Sequence, residues 1–540
     1  DAGGGTVEYN NTSNFTLSAT QATYNNLTVN TSVGVVCTQL SDLTLNGNLF
    51  VKQGTYRIND DTQTMKLSLS IYGDVTVNSG AYLYVGKGHT NTTTDPTSIS
   101  GGTAPFLNYY EQFHRVIING NFTNNGTVRF TNLDHPQYNL FPPTTNGATT
   151  GAASVYFQGT ANSTLLCNGT TDFYNIILDK GADQTYKLSV QPSAYENFRI
   201  FGANIASATV STPNPDLRKA LWIRNGSLVL SGLAVIPSLT EGTTAGSEYY
   251  IPANGALVLS GIDVIVLNTA DDAGEADVAY GVTGTTGVNT TGAAYQGMVV
   301  YGKLQVNDGY LSTRESAGLL YSSVNSGQFE INGGIIDSKQ FRTYDGSTSG
   351  AEYRQNGGIF ILRGRFVRPV GYSSISSLSD TTNALSARAV NGTDDTYGTF
   401  NLEYEENIFS MSGGTIRVYD ASGTAGQQKI VDVGSSLANS SVTGGTIEVR
   451  PQVGTVLSDA STLLVWSKES MYGNFTVNRG ADCSTEVRVR TNPLKILKNL
   501  TITSGYLRTT GQNITVGGNF TVSAAGTYNS NATTIFNGTK

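Results

Sequence analysis

Charge is what this sequence has least of. Asp, Glu, Lys and Arg supply 13% of 540 residues, about half the share of an ordinary soluble domain. The net charge is −8 and no stretch gathers Lys and Arg into a stripe, which excludes a nucleic-acid binder that must displace counterions from phosphates. Cysteine is almost missing. Cys37, Cys167 and Cys483 are far apart and odd in number, so no disulfide framework is expected, and no Cys-x-x-Cys or Cys/His cluster offers a metal site. They read as small buried hydrophobes. Long apolar runs are also lacking. The longest, Ala256 to Leu267, is broken by Ser260, Gly261 and Asp263, far short of the about 20 residues that a membrane-spanning helix needs. The helix formers Glu, Lys and Gln are scarce. The chain opens at Asp1 with neither an initiator Met nor a signal peptide, as expected of a processed or excised form.

What is present is glycine, at 62 positions, together with Asn, Ser, Thr, Val, Ile, Tyr and Phe. That balance favours strands and a surface solubilised by amides and hydroxyls. One phrase recurs: Leu45-Asn-Gly-Asn-Leu-Phe-Val51, Ile71-Tyr-Gly-Asp-Val-Thr-Val77, Val300-Tyr-Gly-Lys-Leu-Gln-Val306, Met471-Tyr-Gly-Asn-Phe-Thr-Val477 and Val516-Gly-Gly-Asn-Phe-Thr-Val522, with Ile118-Asn-Gly-Asn-Phe-Thr-Asn124 as a looser relative. Its alternation has the strand period of two, and the glycines that follow supply the positive φ of tight turns. A second unit puts Gly-Gly before a strand, at Asn332-Gly-Gly-Ile-Ile336, Asn356-Gly-Gly-Ile-Phe-Ile-Leu362, Ser412-Gly-Gly-Thr-Ile-Arg-Val418 and Thr443-Gly-Gly-Thr-Ile-Glu-Val449. Units this short cannot bury an apolar face alone and must stack on one another.

The expected fold is therefore all-β, a β-solenoid of the parallel β-helix kind with loop insertions; tandem β-sandwich domains are the alternative. Four stretches break the rhythm as insertions: Lys87–Phe113, Leu133–Ala152, Thr269–Gln296 and Arg368–Thr399. They divide the chain into an N-terminal β-repeat segment (1–86), an insertion-rich segment (87–152), β-repeats with a long loop (153–296), Gly-Gly repeats interrupted at 368–399 (297–450) and C-terminal β-repeats (451–540).

Further phrases carry a resemblance. Tyr24-Asn-Asn-Leu-Thr-Val29, Phe173-Tyr-Asn-Ile-Ile-Leu178 and Leu497-Lys-Asn-Leu-Thr-Ile502 recur, Val155-Tyr-Phe-Gln-Gly-Thr160 precedes the second, and Ile535-Phe-Asn-Gly-Thr539 closes the chain. This resembles the large repetitive secreted and cell-surface β-repeat proteins of Bacteroidota, in which a Phe-x-Gly-Thr strand precedes a Phe-Tyr-Asn-Leu strand. The resemblance implies a surface adhesin or filament exported by the type IX system. No recognisable C-terminal sorting domain follows, and the last phrase stops inside a repeat, so the expectation is a piece of a longer polypeptide.

Residues that could carry chemistry are few. Asn-x-Ser/Thr sequons number about twenty, among them Asn14, Asn26, Asn121, Asn168, Asn225, Asn391, Asn474, Asn499 and Asn519. They are candidate glycosylation sites, although a chain rich in Asn, Ser and Thr forms sequons by chance and several fall where a turn meets a strand. The carboxylates Asp60/Asp61, Asp271/Asp272, Asp394/Asp395 and Glu403, Glu405, Glu406 are the candidates for the acid and base of a polysaccharide lyase or hydrolase. Neighbours on a strand point to opposite faces, and no His or basic residue lies near the glutamates in sequence. Calcium is the one ion that such oxygen-rich loops suit, but the spaced Asp/Asn/Gly pattern is missing, so no cofactor is expected. His89, His114 and His135 are the only histidines, at spacings that match no zinc motif. Tyr clusters at Tyr82/Tyr84, Tyr109-Tyr110 and Tyr249-Tyr250 could meet glycans or subunits, or stack along the rungs.

The sequence thus leads to a non-catalytic, extracellular structural or adhesive surface protein. Self-association, or addition to other surface-protein subunits through strands in Thr6–Asn30, is the expected partnership, with glycans as a further candidate. A β-helix lyase or hydrolase, or a glycan-binding module, is the alternative.

Overall fold

In the computed structural model, the described residues are 4–60, 66–86, 113–131, 151–200, 221–236, 248–267, 297–313, 319–322, 327–338, 340–343, 350–362, 399–402, 404–420, 426–451, 461–468, 471–480, 486–489 and 492–538. They form strands throughout, with two 3-10 turns at Tyr195–Asn197 and Leu437–Asn439. The chain divides into two compact units, residues 1–244 with 254–292 and residues 245–253 with 293–540.

In the first unit each coil lays down three strands, and each strand pairs in parallel with its counterpart one coil away. The first face carries Thr23–Tyr24, Leu43–Leu45, Ser68–Ile71, His114–Ile118, Ala153–Gly159, Asn175–Lys180 and the start of Leu221–Leu230. The second runs from Thr6–Tyr9 through Asn26–Asn30, Leu49–Gln53, Val75–Val77, Phe122–Asn124, Ser163–Cys167 and Lys187–Pro192 to the rest of Leu221–Leu230 and Gly255–Leu259. The third holds Phe15–Thr16, Val36–Gln39, Thr55–Ile58, Tyr82–Val85, Thr127–Arg129, Thr171–Phe173 and Arg199–Ile200.

The second unit repeats this scheme. Its third face stacks Tyr310–Ser312, Ile335–Ser338, Ile359–Leu362, Thr415–Asp420, Thr446–Pro451 and Asn474–Asn478 on the first halves of Leu500–Arg508 and Phe520–Asn529. The fold is thus a three-sided parallel β-solenoid. Tandem sandwiches would need antiparallel pairs, whereas the antiparallel contact among the described residues is a single bridge, Thr131 to Ala152.

Parallel pairing in register stacks like on like inside. On the second face of the first unit, Leu27, Leu49, Val75, Phe122, Leu165, Val190, Leu230 and Leu259 follow one another through eight coils, and all are buried. In the second unit two adjoining columns are aromatic, Phe341 and Phe400 on the first face and Tyr353 and Phe409 on the second. Phe341 and Phe400 stack at 5.1 Å between centroids, and Tyr353 meets Phe400 edge-on at 5.0 Å and Phe409 at 6.0 Å. Burying such rings contributes most of a coil's stability.

The corners explain the glycines. Between the second and third faces of the second unit, the Gly-Gly pairs lie directly over one another. Gly358 has φ +64°, and a Cβ there would sit 2.4 Å from the Gly333 carbonyl oxygen, a position only glycine tolerates. Phe113, Ala152 and Thr399, placed by the sequence at the margins of insertions, belong to the coils instead. Phe113 stacks on Tyr174 at 4.7 Å, Ala152 is buried, and Thr399 begins the strand Thr399–Leu402.

The looser repeat at Ile118–Asn124 departs from the rest for a physical reason. Asn124 occupies the inward position that Val51 and Val77 hold in the two preceding coils and is fully buried. Its Nδ2 donates to the Thr170 carbonyl at 2.8 Å and to Thr171 Oγ1 at 2.9 Å, while its Oδ1 accepts from the Gly126 N–H at 2.8 Å. Restoring valine with Asn124→Val should therefore destabilise the chain, by about 1–3 kcal/mol for the buried polar groups left unpaired. Denaturant unfolding measures this, and a variant as stable as the parent would show that these bonds contribute nothing.

Candidate functional site

Eight of the nine candidate asparagines lie among the described residues, Asn391 being outside them. Most act as rungs between coils. Asn14 Oδ1 accepts from the Val36 N–H at 2.9 Å, Asn26 Oδ1 from Asn48 N–H at 2.8 Å, Asn121 Oδ1 from Thr164 N–H at 3.0 Å, and Asn499 Oδ1 from Asn519 N–H at 2.9 Å. The sequon follows from this geometry: Asn at the corner, an inward apolar residue next, then an outward Thr. Amide nitrogens are engaged as well. Asn121 donates to Asp74, Asn168 to Asn125, Asn225 to Asp179, Asn474 to the Gly445 carbonyl and Asn499 to Asn474. A glycan on any of these five nitrogens would leave one N–H to keep the bond and would have to fit beside the partner that the nitrogen now meets.

The histidines and paired carboxylates do not converge among the described residues, where no group of three or more His, Cys, Asp or Glu is placed to hold a metal ion. His114 is buried, and its Nδ1 accepts from the Leu67 N–H at 2.9 Å, which fixes a neutral ring with the proton on Nε2. His89, His135, Asp61, Asp271, Asp272, Asp394, Asp395 and Glu403 lie outside the described residues. Glu405 pairs with Lys468, a partner two coils further on. Tyr82 and Tyr84 stack on Thr55 and Arg57 on one side and on Thr127 and Arg129 on the other, not on further tyrosines. Tyr109 and Tyr110 lie outside the described residues, and Tyr249 and Tyr250 lie in the strand Glu248–Ile251.

A cleft of about 640 Å³, with no motif to mark it in the sequence, opens beside the first face of the first unit, lined by Gln158, Thr160, Asp179, Asp183, Thr185 and Tyr186 with the glycines between them. Its floor is an outward row of the sheet in which Gln158 pairs with Asp179. A bulge after Leu178 brings Asn225, rather than Arg224, opposite Asp179. Bulges re-aim side chains in this way. Asp179 is only 18% exposed, and its carboxylate is held from three sides: Oδ1 accepts from Asn225 Nδ2 at 2.6 Å, and Oδ2 from Gln158 Nε2 at 3.3 Å and from the Arg224 guanidinium at 3.4 Å. That guanidinium also lies over the Trp222 ring, 5.5 Å from its centre.

The turn 181–186 forms the far wall. Gly181 has φ +64°, and a Cβ there would meet the Tyr186 ring at 2.6 Å, so the missing side chain lets the ring lie against the backbone. Hydrogen bonding from the Thr185 side chain, and then from its N–H at 2.8 Å, holds the Asp183 carboxyl below the usual range. Beneath the floor, Lys180 is fully buried and donates to the Gln158 carbonyl at 2.8 Å and the Ala161 carbonyl at 2.9 Å. Burial pushes its ammonium down to about 8.

Comparison with known proteins returns no match to a family model, to a curated protein or to a solved structure. The chemistry of the cleft therefore has to be argued from its own residues.

Two consequences are measurable. Lys180 titrates near 8 when folded and near 10.4 when unfolded. Below pH 8 both states are charged and the burial penalty is present in full; between about 8 and 10 the unfolded chain binds more protons, so stability rises with pH. The rise, measured by denaturant unfolding, should be absent in Lys180→Met; an identical rise in that variant would show that Lys180 is not its source. Burial also pushes the thiols of Cys37 and Cys167 up to about 12, so neither should alkylate at pH 8 until the chain unfolds. Peptide mapping after iodoacetamide treatment tests this, and labelling of either in the native chain would contradict it.

Proposed function

We propose that this protein is an extracellular structural or adhesive surface protein, a stiff β-repeat scaffold without catalysis that presents loops along one corner. The observation that carries this reading is where the long connections leave the coils. In the first unit residues 86–113, 130–152 and 201–220 each join a third-face strand to the next first-face strand, and so do residues 363–398, 421–425 and 452–460 in the second. Many of the other corners are three residues long, at 46–48, 72–74 and 119–121 in the first unit and at 332–334, 356–358, 412–414 and 443–445 in the second, and the longer ones, 181–186, 193–198, 344–351 and 434–439, stay at six to eight residues. A scaffold that gathers its longest connections at the third-to-first corner of each unit can vary them without disturbing its coils, the arrangement a display protein needs. The low charge and the resemblance to Bacteroidota surface proteins support the location.

Edges of the sheets support a role in assembly. Thr6–Tyr9, Phe15–Thr16 and Thr23–Tyr24 each pair on one side alone among the described residues. At the other end of the chain, Val522 is 41% and Phe536 60% exposed. Open edges with apolar side chains add further strands readily, whether from more of the same polypeptide or, in this reading, from a second copy or another surface subunit.

Protease shaving of intact source cells tests the location: release of peptides from this chain is expected, and a chain protected until lysis would overturn it. Analytical ultracentrifugation tests the assembly. Deleting residues 1–30 should lower the self-association of the purified chain, and unchanged assembly would remove strand addition from the reading.

A further inference from the structure

We propose that the cleft over Asp179 binds a neutral oligosaccharide through its hydroxyl groups. The inference names a ligand for the adhesive part of the reading above and rests on it only to that extent. At about 640 Å³ the cleft lies within the roughly 300–1,000 Å³ of small-ligand sites. Its lining joins one aromatic ring, Tyr186, to hydroxyls, an amide and two carboxylates, with no cationic side chain among them. That combination suits a sugar, whose ring C–H groups stack on an aromatic face while its hydroxyls donate to carboxylates and exchange bonds with amides. It does not suit an anion, which would meet two carboxylates, Asp179 and Asp183, with the Arg224 guanidinium already paired to the first.

The site is set before any ligand arrives. A carboxylate offers about four lone-pair positions, and the bonds from Asn225, Gln158 and Arg224 fix the Asp179 plane while leaving capacity for an incoming hydroxyl. Gln158 and the 159–161 turn are tied from below by the buried Lys180. On the opposite wall the Tyr186 ring rests on Gly181. Ligand binding then orders few side chains, which lowers its entropic cost. Neutral sugars also fit the scarcity of charge over the whole chain, because steering by net charge would favour no acidic glycan.

A printed array of neutral hexose and N-acetylhexosamine oligosaccharides, with sialylated and uronate-bearing glycans beside them, tests the proposal on the full chain. The expected result is binding to a subset of the neutral glycans, followed by calorimetric titration of the best binder. Tyr186→Ala should weaken that affinity at least tenfold, and Asp179→Asn, which keeps the shape but removes the charged acceptor, by a comparable factor. Both variants should retain the β-sheet circular dichroism of the parent. Binding to no glycan, to acidic glycans alone, or with equal affinity in the parent and both folded variants would overturn the proposal. Loss of surface exposure in the shaving experiment would overturn the scaffold reading and leave this result standing, so the two can fail separately.

Discussion

Every coil in this protein has to lie about 4.8 Å above the one before it, and the rest of the structure follows from that spacing. Strand segments meet it easily, because side chains point into the core or out to solvent. Corners do not, because the backbone there turns through the space where a Cβ would stand. The chain meets the constraint in two ways. It places glycine over glycine, as at Gly333, Gly358 and Gly414, or it uses Asn or Asp, whose side-chain oxygen takes the N–H of the coil above, as along Asn26, Asn48, Asp74 and Asn121. Each such rung contributes about 1 kcal/mol. Their number compensates for the absence of disulfides and of dense charge.

The same constraint shapes the surface chemistry. A corner Asn followed by an inward apolar residue and an outward Thr is a sound strand opening and also a sequon. Sequons therefore accumulate here for reasons of packing, and the amide nitrogens engaged at Asn121, Asn474 and Asn499 serve the ladder. Buried polar side chains follow similar logic. Asn124 and Lys180 both donate to backbone carbonyls of neighbouring turns.

The sequence made the fold class legible because period-two alternation and glycine corners are local signals. Three faces were not legible. The recurring phrase marks one corner and one strand, and it serves different corners: first to second face at Asn46–Asn48, second to third at Gly473 and at Gly517–Asn519. The remaining strands of each coil carry no distinctive residues. The cleft was invisible for a stronger reason. Asp179 and Asn225 are brought opposite each other by one turn of the solenoid and a bulge, and Glu405 meets Lys468 across two turns. Contacts fixed by the height of a coil have no constant separation in a sequence whose loops vary in length.

Each ladder joins a coil only to its two neighbours, and this has a mechanical side. Tension applied at a terminus does not load the whole core at once; it reaches the outermost coil, and the next is exposed when that one peels away. The chain yields length in instalments, each released by breaking one coil's rungs and un-nesting one layer of Leu, Val or Phe. A tether built in this way absorbs a tug by lengthening, and the coils still in place re-template those that were lost.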